Sequence, residues 1–261
     1  MAGYRWISLT TDYGLVDGFV AACHGVIARI APEVRVIDVS HQVSPGDVPR
    51  AAALLAQTVP HLPAAVHVAV VDPGVGSQRR GIAIETPGGL LVGPDNGLLP
   101  WAADVLGGAT GAVALTNPAW RTEPVSRTFH GRDIFAPAAA RLAAGAPLAD
   151  GGPPVPLDSL VRLPDPVVNT GDGWLEAEVL TIDRFGNVQL AAPGEALTGL
   201  GDRVTVGGEP AVRGATFADA PAGGLVVLVD SADRVAVAVN GGRASVVLGV
   251  TPGDILRIAN A

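Results

Sequence analysis

Strand-like and helix-like segments alternate through the first half of the chain. A short apolar run at residues 6–10 predicts a strand, and apolar residues at helical spacing over 19–30 predict the helix after it, capped by Asp17 and stopped at Pro32. The same patterns predict strands at 34–39, 65–71 and 112–115, a hairpin formed by 82–85 and 90–92, and helices at 48–59, 98–106 and 134–143. This alternation predicts an α/β domain with a mixed, largely parallel sheet covered on both faces.

The pattern changes between residues 145 and 166, where Pro, Gly and Asp are frequent and no periodic segment stands out. Beyond this stretch short β-rich runs follow one another, separated by turn residues, at 175–182, 188–191, 203–206, 225–229, 235–239 and 255–258. Such runs are typical of a small barrel. We therefore expect an N-terminal α/β domain over 1–160 and a smaller all-β C-terminal barrel domain over 167–261.

Composition narrows the possible chemistry. The chain has 261 residues, of which 48% are hydrophobic, and its formal net charge is −8. All 17 basic residues are arginines, which excludes a lysine Schiff base and a phosphate-loop lysine. The acidic balance and the lack of a basic cluster argue against nucleic acid as a partner and favour a cationic small molecule.

Two further sequence features concern the compartment. Gly, Pro, Asp or Arg interrupts every apolar run well before the roughly 20 residues that a membrane-spanning helix needs, and the N-terminus shows no signal-peptide pattern. The single cysteine, Cys23, allows no internal disulfide and is expected on the apolar face of its helix. We expect a cytoplasmic protein with no membrane partner.

Two aspartates directly follow apolar strands, where open α/β sheets bind their ligands. Asp12 follows the first strand, and Asp72 follows the apolar run that ends at residue 71. Either one could instead set a turn or cap a helix. Asp72 opens the loop Asp72-Pro73-Gly74-Val75-Gly76, and one of the two arginines closing that loop, Arg79 or Arg80, can reach back to it.

A third candidate is His130, which precedes the helix predicted at 134–143. Its neighbour Gly131 gives it access, and its ordinary pKa lies near neutrality, although a structural histidine is the alternative. Asp133 is expected to cap the helix. No His-x-His pair or His-Glu-x-x-His motif is present, so a metal site has little support.

Several segments taken together resemble the S-adenosyl-L-methionine hydroxide adenosyltransferases, the S-adenosylmethionine hydrolases once listed as a domain of unknown function, which are related to the fluorinase and chlorinase. The resemblance covers nearly the whole chain. The matching segments are Thr11-Asp12-Tyr13-Gly14, Val36-Ile37-Asp38-Val39-Ser40-His41, Asp72-Pro73-Gly74-Val75-Gly76, Gly93-Pro94-Asp95-Asn96-Gly97, Phe129-His130-Gly131-Arg132-Asp133, Ile182-Asp183-Arg184-Phe185-Gly186-Asn187, Thr216-Phe217-Ala218-Asp219 and Asp230-Ser231.

The resemblance implies a hydrolase that converts S-adenosyl-L-methionine to adenosine and L-methionine without metal or cofactor. It implies a catalytic set of Asp72, Arg79 and His130 that orients water or hydroxide for attack on the ribose C5′, with Arg79 chosen over Arg80 by its spacing. The implied substrate-binding residues are Asp12 at the ribose, Asp183 and Ser231 at the methionine, and Asn187 and Phe217 around the adenine, together with Phe185. It further implies a homotrimer with sites between subunits.

Three other functions stay open at this stage. A halogenase is one alternative, and Gly131 suits it because a small residue there also suits chloride, but the halogenating relatives carry tyrosine at the position of Asp72. A carboxylate there would repel a halide. A metal-dependent nucleotide phosphatase would need a cluster built from Asp12, Asp17, Asp95 and Asn96. A non-catalytic nucleoside-binding protein is the third.

Overall fold

The computed structural model describes residues 3–261 and divides into two compact units after Leu163. The strands of the first unit are Trp6–Thr11 (β1), Arg35–Ser40 (β2), Val66–Val70 (β3), Gly81–Thr86 (β4), Gly89–Pro94 (β5) and Gly111–Ala114 (β6). In the described part of the chain they form one six-stranded sheet in the order β2-β1-β3-β5-β4-β6. The first four strands of that order run parallel, while β4 is antiparallel to both of its neighbours. The predicted mixed, largely parallel sheet is therefore confirmed.

Helices cover both faces of this sheet. They are Phe19–Ile30 (α1), Val48–Thr58 (α2), Pro100–Val105 (α3) and Ala136–Ala143 (α4), with short 3₁₀ turns at Val59–His61, Pro118–Trp120, Leu148–Gly151 and Leu157–Ser159. Helices α1 and α4 pack on one face, where Val68 joins their core, and α2 and α3 pack on the other, where Ala69 joins theirs. Because β3 is buried on both faces, its sequence is almost continuously apolar. Cys23 lies in the first core, as expected.

Two predicted helix caps are wrong. The N-cap of α1 is Gly18, with no side-chain hydrogen bond, and Asp17 is exposed. The predicted fourth helix begins earlier, as a π-helical turn at Gly131–Phe135 that runs into α4, so Asp133 lies inside that turn. Its buried carboxylate accepts the backbone N–H of Ser126 at 2.8 Å and pairs with Arg132, so it fixes the incoming loop and does not cap the helix.

The second unit, described by itself, is a β-barrel. Its strands are Val168–Gly171 (β7), Trp174–Ile182 (β8), Val188–Pro193 (β9), Arg203–Val206 (β10), Glu209–Arg213 (β11), Leu225–Val229 (β12), Arg234–Val239 (β13) and Ile255–Asn260 (β14), with a helix at Ala244–Leu248 (α5) and 3₁₀ turns at Gly194–Leu197 and Phe217–Asp219. Strand β14 pairs with both β10 and β8, which closes β8 to β14 into a ring and confirms the predicted barrel. Alternate residues of β8 are buried, as a strand lining a barrel core requires.

Three elements of the second unit were not predicted. Strand β7 is exposed along its whole length, and β11 contains Pro210 and carries charge at both ends, so neither shows a period-two apolar pattern. Helix α5 spans only Ala244–Leu248, which is too short for helical spacing to emerge. Across residues 3–261, no helix combines the length and the apolar character that crossing a bilayer requires.

Candidate active site

The carboxyl ends of β1 and β3 bring the first two candidate aspartates to one edge of the sheet. The two strands are adjacent and parallel, and Thr11 pairs with Val70 in register. Asp12 follows β1 directly, and Asp72 lies two residues beyond the end of β3. The sequence-based placement of both residues at the carboxyl edge therefore agrees with the structure.

Asp72 is held by Arg79. The Nε of Arg79 donates to both carboxylate oxygens of Asp72 at 3.0 Å, and its Nη2 donates to Oδ2 as well. The two side chains are only 5% and 11% exposed, so little water competes for this pair. The guanidinium also lies 5.2 Å from the centre of the Phe135 ring. Bidentate pairing fixes the direction of the carboxylate as well as its charge.

The loop that carries this pair depends on a glycine. Gly76 has φ +76°, and a Cβ there would overlap the carbonyl oxygen of Arg127. Only glycine both adopts this positive φ without strain and leaves room for the Arg127 carbonyl oxygen. The tight turn brings Arg79 back over Asp72.

Arg79 also fixes the protonation of His130. Its Nη2 lies 2.7 Å from His130 Nδ1, and a guanidinium can only donate hydrogen bonds. Nδ1 therefore carries the lone pair, and the proton of the neutral ring resides on Nε2. Burial and the neighbouring Arg79 charge lower the pKa of His130. At neutral pH His130 is therefore an uncharged ring that presents an N–H donor.

Asp12, at the same carboxyl edge of the sheet, is held by its own set of hydrogen bonds. Its Oδ2 accepts the backbone N–H of Gly46 at 2.9 Å. The loop around it is tied to His41, whose Nδ1 lies 2.8 Å from Thr11 Oγ1 and whose carbonyl accepts the Gly14 N–H at 2.7 Å. These contacts leave Asp12 on a loop fixed at both ends.

These groups line one cavity of about 360 Å³, within the range of small-molecule sites. Its polar lining includes Asp12, Asp72 and His130, and its remaining walls are formed by Tyr13, Pro45, Gly46, Val70, Pro73, Val75, Thr128 and Gly131. Tyr13 was not singled out by sequence reasoning, although it lies inside the segment Thr11-Asp12-Tyr13-Gly14. Its place in the cavity depends on how its ring packs, which no local pattern reveals.

Arg80, the other candidate partner of Asp72, faces away. Its Nε donates to Asp95 at 2.7 Å and its Nη2 to the carbonyl of Ser159 at 2.6 Å, while Asp95 also accepts the Val161 N–H. Arg80 therefore anchors the segment around residues 159–161. The spacing argument selected the arginine that contacts Asp72.

The predicted residues of the second unit occupy three loops. Asp183, Phe185 and Asn187 share the turn between β8 and β9, where the Asp183 carboxylate accepts the backbone N–H groups of Phe185 and Asn187 at 2.8 and 2.9 Å and the Asn187 amide at 2.8 Å. Phe217 lies in the 3₁₀ turn before β12, and Ser231 lies exposed in the turn before β13. The Phe185 side chain is 73% exposed and that of Phe217 52% exposed, which is unusual for aromatic residues and typical of a binding surface.

Three of the four side chains proposed for a phosphatase metal cluster, those of Asp12, Asp95 and Asn96, have other partners. Asp12 accepts from Gly46, Asp95 pairs with Arg80, and the Asn96 amide donates to the carbonyl of Val71 at 2.8 Å. Within residues 3–261 no group of three or more His, Cys, Asp and Glu side chains is arranged to hold a metal ion. A second cavity, of about 540 Å³, lies between β7, β8 and the Gly194–Leu197 turn, and none of the predicted site residues lines it.

Comparison with known proteins covers both units. Residues 7–152 match the family model described as SAM hydroxide adenosyltransferase N-terminal domain, and residues 177–257 match the corresponding C-terminal domain. An (R)-S-adenosyl-L-methionine hydrolase of Salinispora arenicola is 66% identical, with 99% of each chain covered. One of Thermus thermophilus is 41% identical, covering 97% of this chain and 99% of its own.

A solved structure shows the same fold at full length. The crystal structure of an uncharacterized conserved protein from Thermotoga maritima superposes with a TM-score of 0.91 at 35% identity, covering 97% of this chain and 100% of that one. Fluorinases are more distant relatives: one of an Actinoplanes species is 28% identical over 70% of each chain.

Proposed function

This chain belongs to the SAM hydroxide adenosyltransferase family, and from that premise we propose that it hydrolyses S-adenosyl-L-methionine to adenosine and L-methionine. The observation that carries the proposal is the Asp72–Arg79–His130 set at the wall of a substrate-sized cavity. A carboxylate that accepts a proton and a neutral imidazole that donates a hydrogen bond are what a water nucleophile needs.

The reaction is a displacement at the ribose C5′. A lone pair of water forms the C5′–O bond while the C5′–S bond breaks, and the bonding electrons go to sulfur, which leaves as the neutral thioether of methionine. The proton lost by water goes to Asp72 and then to solvent. Because the leaving group is neutral, no acid is needed on that side.

The protein's contribution is to place and activate water. Holding it in line about 3 Å from the carbon can lower the barrier by roughly 7–11 kcal/mol, and a general base adds about 10²–10⁴-fold. Asp72 serves as the base, since its direction is fixed by Arg79. His130 orients the water through Nε2–H and does not accept its proton, because Nδ1 already faces the Arg79 guanidinium.

Charge favours this nucleophile over a halide. Chloride at the position of the attacking water would lie beside the Asp72 carboxylate, which repels an anion. A sulfonium substrate is itself cationic and is attracted by Asp12 and Asp72. The net charge of −8 works in the same direction at longer range.

The remaining substrate contacts follow the family resemblance. In this proposal Asp12 binds the ribose hydroxyls, Asp183 and Ser231 bind the methionine ammonium and carboxylate, and Asn187 and Phe217 surround the adenine, while Phe185 is a further substrate-binding residue. The exposed rings of Phe185 and Phe217 support a role in stacking. The family further supports a homotrimer in which each site takes its two halves from neighbouring subunits.

The same reasoning covers location and partners. We place the protein in the cytoplasm, where its single buried Cys23 stays reduced and its substrate is available. Burial raises the pKa of the Cys23 thiol to about 12, so that it does not act as a nucleophile. Neither nucleic acid nor membrane is needed for the proposed reaction.

The test is incubation of the purified protein with S-adenosyl-L-methionine and chloride, followed by chromatography of the products. We expect adenosine and methionine in equal amounts, with the rate unchanged when a chelator is added. Formation of 5′-chloro-5′-deoxyadenosine would indicate a halogenase. Loss of activity with the chelator would indicate the phosphatase-like alternative, and binding of adenosine without turnover would indicate a nucleoside-binding protein.

A further inference from the structure

The hydroxyl of Tyr13 is a polar group in the cavity to which no role has been assigned. The Tyr13 ring packs edge-on against Phe129, with centroids 5.6 Å apart, and in a tilted arrangement against Phe19 at 6.0 Å. Its backbone N–H donates to Thr11 Oγ1 at 3.2 Å. Ring and backbone are therefore held, yet within residues 3–261 nothing hydrogen-bonds the hydroxyl.

Gly131 is what makes room for this hydroxyl. A Cβ built on Gly131 would overlap the Tyr13 hydroxyl oxygen and would lie 3.0 Å from the ring carbon that bears it. The hydroxyl thus occupies the space that a side chain at residue 131 would fill, directly beside His130. The small residue at 131 leaves room for the Tyr13 phenol, and the phenol in turn takes up space that an ion beside Gly131 would use.

The phenol stays protonated. Burial, together with the nearby Cys23, Asp12 and Asp72, raises the pKa of Tyr13 well above its ordinary value. A neutral phenol offers one hydrogen and two lone pairs. Its two lone pairs are therefore able to accept a hydrogen bond from a donor in the cavity.

We propose that the Tyr13 hydroxyl is a further catalytic group, which accepts a hydrogen bond from the attacking water. The inference rests on the proposed hydrolysis. Water has two lone pairs and two hydrogens: one lone pair attacks C5′, the other accepts from His130 Nε2–H, and one hydrogen goes to Asp72. The second hydrogen is received by Tyr13, which completes the orientation of the water.

The first test replaces Tyr13 with phenylalanine, which keeps the ring and its packing. We expect kcat to fall about tenfold, since one oriented hydrogen bond is removed from the transition state, while KM for S-adenosyl-L-methionine stays within about twofold. The matched control is Tyr4→Phe, which removes the chain's only other tyrosine hydroxyl, outside the cavity lining. Its kcat should equal that of the unmodified protein.

The second test uses Gly131→Ala, alone and combined with Tyr13→Phe. The added methyl displaces the Tyr13 hydroxyl, so the single variant should lose activity. In the Tyr13→Phe background the same change should cost clearly less, because the atom it meets first is gone. Thermal melting confirms that each variant folds.

Two results of the single variant would overturn the inference: kcat of Tyr13→Phe equal to that of the control, or a rise in KM alone, which would assign the hydroxyl to substrate binding. Strictly additive losses in the double variant would also contradict it. If the unmodified protein released no adenosine, the proposed hydrolysis itself would fail, which is a separate outcome.

Discussion

At the scale of single residues, one guanidinium organises the proposed chemistry. Arg79 pairs with Asp72 through two nitrogens and also contacts Nδ1 of His130, so it sets the direction of the base and the tautomer of the donor at once. Lysine could supply the charge but not this fork.

The role of Asp72 is tested by Asp72→Asn. We expect turnover to fall by about 10²–10⁴-fold, the usual contribution of a general base. The affinity for S-adenosyl-L-methionine should fall far less, because the amide keeps the size and one acceptor oxygen and Asp12 keeps its charge. Single-turnover rates and calorimetric binding measure the two quantities separately. Asp17→Asn, at an exposed aspartate outside the cavity, is the matched control, and a normal rate in Asp72→Asn would refute the mechanism.

At the residue scale, the sequence predicted correctly those contacts that are set by residues close together in the chain or directly following a strand. Asp12 and Asp72 each follow a strand, and the short loop from Asp72 returns Arg79 to it. The predicted helix cap at Asp133 was wrong because the position of this residue depends on a π-helical turn. Tyr13 was missed because its hydroxyl reaches the cavity only through the way Phe129 and Phe19 orient the ring.

At the scale of elements, the two central strands carry a buried polar pair. His67 of β3 lies with its Nδ1 2.8 Å from the Ser8 hydroxyl of β1, and both side chains are buried. Burial lowers the pKa of His67 to about 4. The neutral ring thus belongs to the folded state, while the unfolded chain binds a proton near the ordinary value of about 6.5.

This difference predicts a pH dependence of folding stability. Between pH 6.5 and 4 the unfolded chain holds more protons than the folded one at His67, so stability falls as pH is lowered through this window, by up to about 3 kcal/mol. Urea unfolding across pH 4–8 measures the slope. His67→Gln should flatten it relative to the unmodified chain, and an unchanged slope would show that His67 is not the group responsible.

The helices and strands were predictable where the pattern of apolar residues shows which positions are buried. Helix α1 was recognised because its apolar positions repeat at helical spacing, and strand β3 because it is an almost continuous apolar run. Strands β7 and β11 were missed because most of their side chains face solvent and only backbone pairing defines them. The parallel order of the sheet followed from alternation of strands and helices. The antiparallel direction of β4 followed from the hairpin at residues 82–92.

At the scale of the whole molecule, the proposed reaction uses residues of both units. The first carries the Asp72–Arg79–His130 set, and the second carries the exposed aromatic residues. If each site combines halves from neighbouring subunits of a homotrimer, two inactive proteins should complement each other. Periodicity and motif spacing give no sign of such an assembly, which only the family resemblance implies, because a local pattern describes a surface and not the partner that covers it.

Complementation is measured by mixing Asp72→Asn with Phe217→Ala after joint unfolding and refolding. Random assembly places two intact halves together in about one site in four, so we expect activity of about a quarter of the unmodified level. Each variant refolded alone keeps only its own residual activity, which is measured as the baseline. Activity of the mixture no higher than the sum of its parts would mean that each site is built within one subunit.

The central claim, that water is the nucleophile at the ribose C5′, is tested most directly by isotope labelling. The purified protein is incubated with S-adenosyl-L-methionine in ¹⁸O-water containing chloride, and the products are analysed by mass spectrometry. We predict adenosine that carries one ¹⁸O atom at its 5′-hydroxyl, together with unlabelled methionine. Unlabelled adenosine, 5′-chloro-5′-deoxyadenosine, or the absence of any product would contradict the account.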